Sequence, residues 1–368
     1  MSGINKKFLL PILAVLVLIV VWMTIFGGGG GISQSKENNV SMAITGDVMF
    51  ARNMGTALSL GTSPFADVSN VTSNVDLLLI NFENAATSSE NATKPDIPLK
   101  CNPGFTVLAR ANNNTIAGLA NNHVCDYGIQ GMRDTINNLE RVNITHLGAG
   151  NNEAEAHKGV TQQINGRNIT ILNYMDSNNF AEYSYEVLPY ANGSSPGYSA
   201  YDSQDAKNQI SQANESGNFV MVFMHYGNEY STSPNQDQIK ISHELIDDGA
   251  DVVIGSHPHV AQGIEMYKGK PIFYSLGDFI FDLEAEGTLD NYFVEIDLSG
   301  NQGQCTVYPV HLSGYLPHPM DSETGNTFLN SLTPKASELK VNDGVGKLNF
   351  TFSVKVIQLD IEIYSSFA

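Results

Sequence analysis

"GADVVIGSHPHV", residues 249–260, carries the reading of the fold. Val252 to Ile254 form a short apolar run between Gly249 and a Gly-Ser turn, as a strand buried on both faces requires. Two histidines follow at i, i+2 around Pro258, so imidazoles stand directly at the end of that strand. They are either ligands or polar residues leaving a strand, and the surrounding chain has to decide between the two.

Working outward, "NQDQIKISHELIDDG" (235–249) reads as a helix closed by Gly249, a residue that tolerates the left-handed cap conformation. "NITILNYM" (168–175), "FVMVFMHYG" (219–227) and "PIFYSLG" (271–277) read as strands, and "DLLLIN" (76–81) as a shorter one. "GIQGMRDTINNLERV" (128–142) has helical spacing at Ile129, Met132, Ile136 and Leu139. Alternating strands and helices predict an α/β protein, with helices on both faces of a central sheet. Ordered structure begins near residue 41. Residues 348–364 alternate with period two, as a half-buried hairpin or edge strand does. They read as a C-terminal addition packing on the sheet, an extension over 316–368 if the main domain covers 41–315 as the resemblance below implies.

The first 40 residues differ in kind. Residues 8–26, "FLLPILAVLVLIVVWMTIF", carry no charge, and nineteen such residues span a bilayer core of roughly 30 Å. Pro11 is tolerable in such a helix. The run is longer than a signal-peptide core, and "GGGGG" (27–31) is not a cleavage signature. The expectation is a cytoplasmic stub and transmembrane anchor over 1–26 and a flexible linker over 27–40. Lys6 and Lys7 keep the N-terminus inside, so the chain is expected in the cell membrane, single-pass, with the main domain extracytoplasmic.

The net charge of −19 argues against nucleic acid, whose phosphates it would repel. Nine N-x-S/T sequons occur where composition alone gives about five, which suits an external location without proving it. Cys101, Cys125 and Cys305 form no C-x-x-C pair; one bridge between two of them would leave one thiol over.

Polar residues gather where the strands end. "TGDVMFAR" places Asp47, "LLINFENA" places Asn81 and Glu83, and "GLANNHVCDYG" places Asn122 and His123. "VFMHYGNEY" adds His225 and Glu229, "VIGSHPHV" adds His257 and His259, and "YSLGDFIFD" adds Asp278. Ligands of open α/β sheets bind at the carboxyl ends of strands. A lone histidine at a strand end is ordinary, but carboxylates, an asparagine and several histidines together are what a borderline divalent metal uses. Arg52 offers a guanidinium for a carboxylate or phosphate. Glu229 is placed to orient His225, and Tyr226 and Tyr230 to wall the crevice. His146, His157, His243, His311 and His318 lack such context and read as structural or surface residues.

In order and in combination, "GDVMFAR", "NFEN", "ANNHVCDYG", "HYGNEY", "GADVVIGSHPHV" and "YSLGDFIFD" resemble the motifs of the CapA/PgsA family of poly-γ-glutamate capsule biosynthesis proteins, over about residues 41–315. That family is similar in fold to calcineurin-like metallophosphoesterases, which implies a four-layer α/β/β/α sandwich behind the transmembrane helix. The resemblance implies metal ligands at Asp47, Glu83, Asn122, His225, His257 and His259, with Glu83 at the bridging position. It makes His123 the general acid or charge stabiliser; from their own chemistry Arg52 is expected to be catalytic beside it and Glu229 to stand behind the ligands, with Asp278, where the family often has Asn, adding an acceptor there. One or two divalent ions (Mn, Zn or Fe) follow. Position 49 is Met where the superfamily's D-x-H has its histidine, which weakens one site. The resemblance implies a role in capsule or poly-γ-glutamate-type polymer biosynthesis, and the retained site residues favour a metal-dependent hydrolase or transferase acting on an anionic polymer or its precursor. The alternative is a non-catalytic accessory subunit of a polymer synthesis or export complex.

Overall fold

A computed structural model describes residues 39–94, 96–180, 184 and 186–353. The anchor expected over 8–26, the linker up to residue 38 and the strand expected over 354–364 lie outside these residues. No helix among the described residues is long and apolar enough to cross a membrane.

In chain order the main elements are β1 (Val40–Val48), α1 (Arg52–Ser59), β2 (Leu77–Phe82), β3 (Thr115–Gly118), α2 (Gly128–Arg141), β4 (Thr145–Leu147), β5 (Val160–Ile164) and β6 (Arg167–Met175). Then come α3 (Ser203–Glu215), β7 (Phe219–His225), α4 (Gln236–Asp247), β8 (Val252–Ser256), β9 (Ile264–Tyr267), β10 (Lys270–Phe273) and β11 (Asp278–Ile280). The chain closes with β12 (Asp290–Ser299), β13 (Gln302–Ser313), β14 (Leu316–Pro319), α5 (Ser322–Ser331), β15 (Lys340–Asn342) and β16 (Val345–Thr351).

These strands form two large sheets, where the strand pattern alone predicts one central sheet. The first runs β15-β16-β13-β12-β1-β2-β3-β4, with β11 beside β1 and β14 beside β13. The second runs β9-β10-β8-β7-β6-β5. An apolar run buried on both faces fits either arrangement, which is why sequence did not separate them. Period-two alternation then assigns each face. Met42 and Ile44 of β1, Leu77 and Leu79 of β2, Met221 and Phe223 of β7, and Val252 and Ile254 of β8 meet in one core between the sheets. Their strand neighbours point outward. Leu78 and Ile80 pack with Met132 and Leu139 of α2, and Val220 and Val222 pack with Ile210 of α3 and Leu245 of α4. Burying each such side chain contributes about 1.5–3 kcal/mol. Helices thus lie outside both sheets.

The helix expected over 235–249 is α4. Asn235 and Gln238 form its capping box, and Gly249, at φ 112°, ends it. The strand β16 is half-buried and antiparallel as the alternation requires, but it is not an edge: it lies between β13 and β15.

Strand β10 belongs to the second sheet, yet five residues later Asp278 opens β11, parallel to β1 in the first, with Asp278 opposite Asp47. The crossing is tight. A Cβ on Gly46 would stand 1.8 Å from the Gly277 carbonyl oxygen, and Gly277 itself has φ 73°. Neither position accepts a side chain without moving the backbone.

Candidate metal centre

The parallel strands of both sheets end on the same side, and the polar residues predicted at those ends converge there. Asp47 is the penultimate residue of β1, Glu83 directly follows β2, His225 ends β7, and His257 directly follows β8. All are buried, with Asn122, His123, His259 and Asp278. Two groups of ligand atoms result, each within 4.8 Å: Glu83, His225 and His257, and Asp47, Glu83 and His259. Glu83 belongs to both. Asn122 Oδ1 joins the first group, 2.9 Å from His225 Nε2, with Glu83 Oε1 3.9 Å from the same nitrogen. His257 and His259 have φ of 101° and 59°, a left-handed backbone seldom adopted by residues with a Cβ and typical of functional sites.

A second layer fixes these groups. Asn81 Nδ2 donates to Asp47 Oδ1 (2.7 Å) and Glu83 Oε2 (2.8 Å), and Asn121 Nδ2 donates to Asn81 Oδ1 (3.1 Å). The backbone N–H of His257 donates to Asp47 Oδ2 (3.3 Å). His259 Nδ1 stands 2.8 Å from Asp278 Oδ1 and 3.6 Å from Asp47 Oδ2. His123 Nδ1 stands 2.7 Å from Asp126 Oδ2, which also accepts from the Leu99 N–H at 2.6 Å.

The electrostatics are those of a site short of positive charge. Burial raises the Glu83 carboxyl well above its usual range, and the charges of Asp47 and Asp278 push it further. Burial also raises Asp47, against the opposing pull of His259, and raises Asp278 to about 7. Burial alone would lower His259, but Asp278 and then Asp47 outweigh it and hold it at about 9. His225 and His257 are pushed well down, first by burial and then by neighbouring imidazoles, so they are neutral, as ligands must be. Burial likewise lowers His123, despite Asp126.

The residues fit a divalent cation. Glu83 Oε1, His257 Nδ1 and Asp278 Oδ2 are buried without a hydrogen-bond partner in this structure, a costly state that a metal or its bound water would relieve. The mixed carboxylate, imidazole and amide donors suit zinc, manganese or iron. Met49 is buried in an apolar cluster with Ala51, Leu99 and Phe281 and contributes nothing to the second ligand group, which is left with three residues.

Beside the centre lies a cavity of about 360 Å³. Arg52, Lys94, Asn122, His123, His257 and His259 are among its lining residues. The expected neighbours take different places. Glu229 is exposed but lines the cavity, and its charge adds to the raising of Glu83 and His259; the groups beside His225 Nδ1 are Ser256 Oγ, at 3.1 Å, and Asn81 Nδ2, at 3.4 Å. Arg52 lines the cavity, but its guanidinium is engaged by Asp282. Tyr230 lines the cavity, whereas Tyr226 is buried with its hydroxyl 2.8 Å from Ser242 of α4, because the residue after His225 faces the opposite side of the strand. His146, His157, His243, His311 and His318 pair with Glu140, Asp205, Glu265, Asp290 and Asp67, away from the centre. The three cysteines are free and buried. Sequence reading passed over Asp126, three residues after His123, and Ser256, the last residue of β8.

The family model described as bacterial capsule synthesis protein PGA_cap matches residues 41–283. Over 360 residues the chain is 32% identical to the PGA biosynthesis protein CapA of Bacillus subtilis, covering 94% of this chain and 91% of that one. It is 29% identical over 324 residues to the capsule biosynthesis protein CapA of Bacillus anthracis, covering 85% and 77%. A probable polyglutamine synthesis accessory protein of Mycobacterium tuberculosis is 28% identical over 256 residues, covering 65% and 66%.

Proposed function

The chain belongs to the bacterial capsule synthesis protein family, and from that premise we propose that it is a metal-dependent hydrolase or transferase of the metallophosphoesterase type, acting on an anionic polymer or its precursor. Its role lies in capsule or poly-γ-glutamate biosynthesis, the process for which its relatives are named. The observation that carries the catalytic reading is Glu83, one carboxylate common to two ligand groups, as a bridged two-metal site requires. Two sheets packed face to face between helices agree with the four-layer arrangement of that superfamily.

Divalent ions held there, one or two of Mn, Zn or Fe, supply Lewis acidity and lower the pKa of bound water. Four donors (Glu83, Asn122, His225, His257) make the tighter site, and Asp47, Glu83 and His259 the weaker. Asp126 holds His123 at Nδ1, so Nε2 is the nitrogen that exchanges a proton with the substrate. Arg52, kept at the cavity wall by Asp282, offers a cation to an anionic group. Residues 8–26 anchor the chain with its N-terminus inside. Protease added to intact cells then removes the domain and spares the first residues; a chain that resists until lysis has another topology.

The second reading, an accessory subunit of a synthesis or export complex, is favoured by the name of the mycobacterial relative and by the Met at position 49. The two part in cells whose parent gene is replaced by Glu83→Gln. Polymer formation lost with the protein still present supports catalysis, and polymer formation kept supports the accessory role.

A further inference from the structure

The charges on the cavity wall cancel. Arg52 and Lys94 bring two cations, Asp96 and Glu229 bring two carboxylates, and Asp282 already engages Arg52. Behind the wall, Asp47 and Glu83 belong to the ligand groups, and Asp278 holds His259. A run of anionic groups therefore meets no net attraction along this wall, and the chain as a whole carries −19. Recognition beyond the centre has to come from something other than charge.

Much of the remaining wall is apolar and built against the centre. Phe180 stands edge-on to His257 with ring centroids 4.9 Å apart, and Phe281 lies 4.8 Å from His259. Tyr230 lies 6.2 Å from the His259 ring. Its N–H donates to the Pro258 carbonyl (2.8 Å), which ties it to the turn that carries both histidines. Its φ of 62° is a left-handed backbone that a side chain disfavours, yet the residue is 48% exposed. Ile97 repeats the pattern on the same wall, with φ 46° and 63% exposure. The described residues expose five large apolar side chains, and two of them line this one cavity. Scattered singly they would be ordinary; strained and together beside a metal centre, they mark a surface that an apolar group covers.

We propose that this wall, with Tyr230 at its exposed part, binds a hydrocarbon portion of the substrate directly next to the anionic group held at the centre. The inference rests on the metal-centre reading and narrows its substrate to a small amphipathic phosphoryl or carboxyl compound, as opposed to an internal stretch of a polyanion.

Calorimetry on the full chain tests it, with and without manganese. Methyl, butyl and hexyl phosphate form one probe series, acetate, pentanoate and heptanoate a second, and a γ-glutamate dimer and tetramer a third. The proteins are the parent, Tyr230→Ser, Tyr230→Phe and Ile97→Ser. In the parent, affinity in at least one alkyl series should rise roughly three- to fourfold per added methylene until the wall is covered. The series that responds identifies the anionic group. Tyr230→Ser and Ile97→Ser should each flatten the rise and leave manganese content intact, and Tyr230→Phe should keep it. The glutamate tetramer should bind no tighter than the dimer. A parent with no rise in either alkyl series overturns the proposal, as does a rise kept in both serine variants. A tetramer bound much more tightly than the dimer overturns it too, since the wall then serves a polyanion. A parent that takes up no manganese overturns the underlying reading instead, and the metal-free series then judge the wall by themselves. Two serine variants keep a folding defect in one from deciding the result.

Discussion

Asp278 and Asp47 lie opposite each other on adjacent parallel strands, and the Nδ1 of His259 stands between them, 2.8 Å from the first and 3.6 Å from the second. The chain crosses from one sheet to the other to make this contact, so Asp278 belongs to the centre by construction. It fixes the ring of a ligand and supplies negative charge behind it. Asp278→Ala should weaken the second metal site by roughly 10- to 100-fold. Asp278→Asn, which keeps an acceptor, should cost less. In the metal-free protein the Asn variant should bring the His259 imidazole down from about 9, since the charge that raises it is gone. NMR titration of His259 reads this, and an unmoved value refutes the pairing.

Metal uptake should release protons and strengthen with pH. His259 sits at about 9, so the metal-free site holds a proton near neutrality that an entering cation must displace, and the raised Glu83 and Asp47 carboxyls act in the same direction. His225 and His257 are pushed down and have none to give. Affinity should climb as pH rises toward about 9 and level off beyond it. Calorimetry in buffers of different ionisation enthalpy counts the protons. Uptake without release would mean that His259 is already neutral and the carboxyls already ionised in the empty site.

His123→Ala should leave metal content nearly intact and lower turnover by roughly 10²–10⁴. His257→Ala should instead lose metal, because it removes an imidazole from a ligand group. Asp126→Asn should resemble His123→Ala in kind and be milder, since it disturbs the orientation of His123 rather than removing it. Elemental analysis and activity on the same preparations separate these outcomes. Equal metal loss in the His123 and His257 variants would make His123 a ligand.

Gly46→Ala should destabilise the fold by at least about 3 kcal/mol, because its methyl group would overlap the Gly277 carbonyl at the crossing between sheets. Urea unfolding measures this. A variant as stable as the parent would show that the crossing can shift.

The candidate ligands were legible because each closes or directly follows a mainly apolar strand: His225 closes β7, and Glu83 and His257 directly follow β2 and β8. Contacts set by tertiary placement were not legible. Ser256 reads as a strand residue until β7 is laid beside β8, and Lys94 sits in a loop with no periodicity to mark it. Beyond the bend at Gly227, whose φ is 95°, Glu229 comes to the exposed part of the cavity wall, and proximity in sequence to His225 does not tell that Ser256 and Asn81 are the groups at His225 Nδ1. The number of sheets escaped for a similar reason, since a strand buried on both faces does not record which neighbour covers it.

The central claim is that one carboxylate, Glu83, serves two metal sites, and metal stoichiometry across three variants tests it most directly. The parent should hold about two ions at saturating manganese or zinc, one tightly and one weakly. His257→Ala should lose the tight ion and keep the weak one. His259→Ala should do the reverse, and Glu83→Ala should lose both. If Glu83→Ala keeps as much metal as either histidine variant, or if the parent binds none, the shared centre is contradicted.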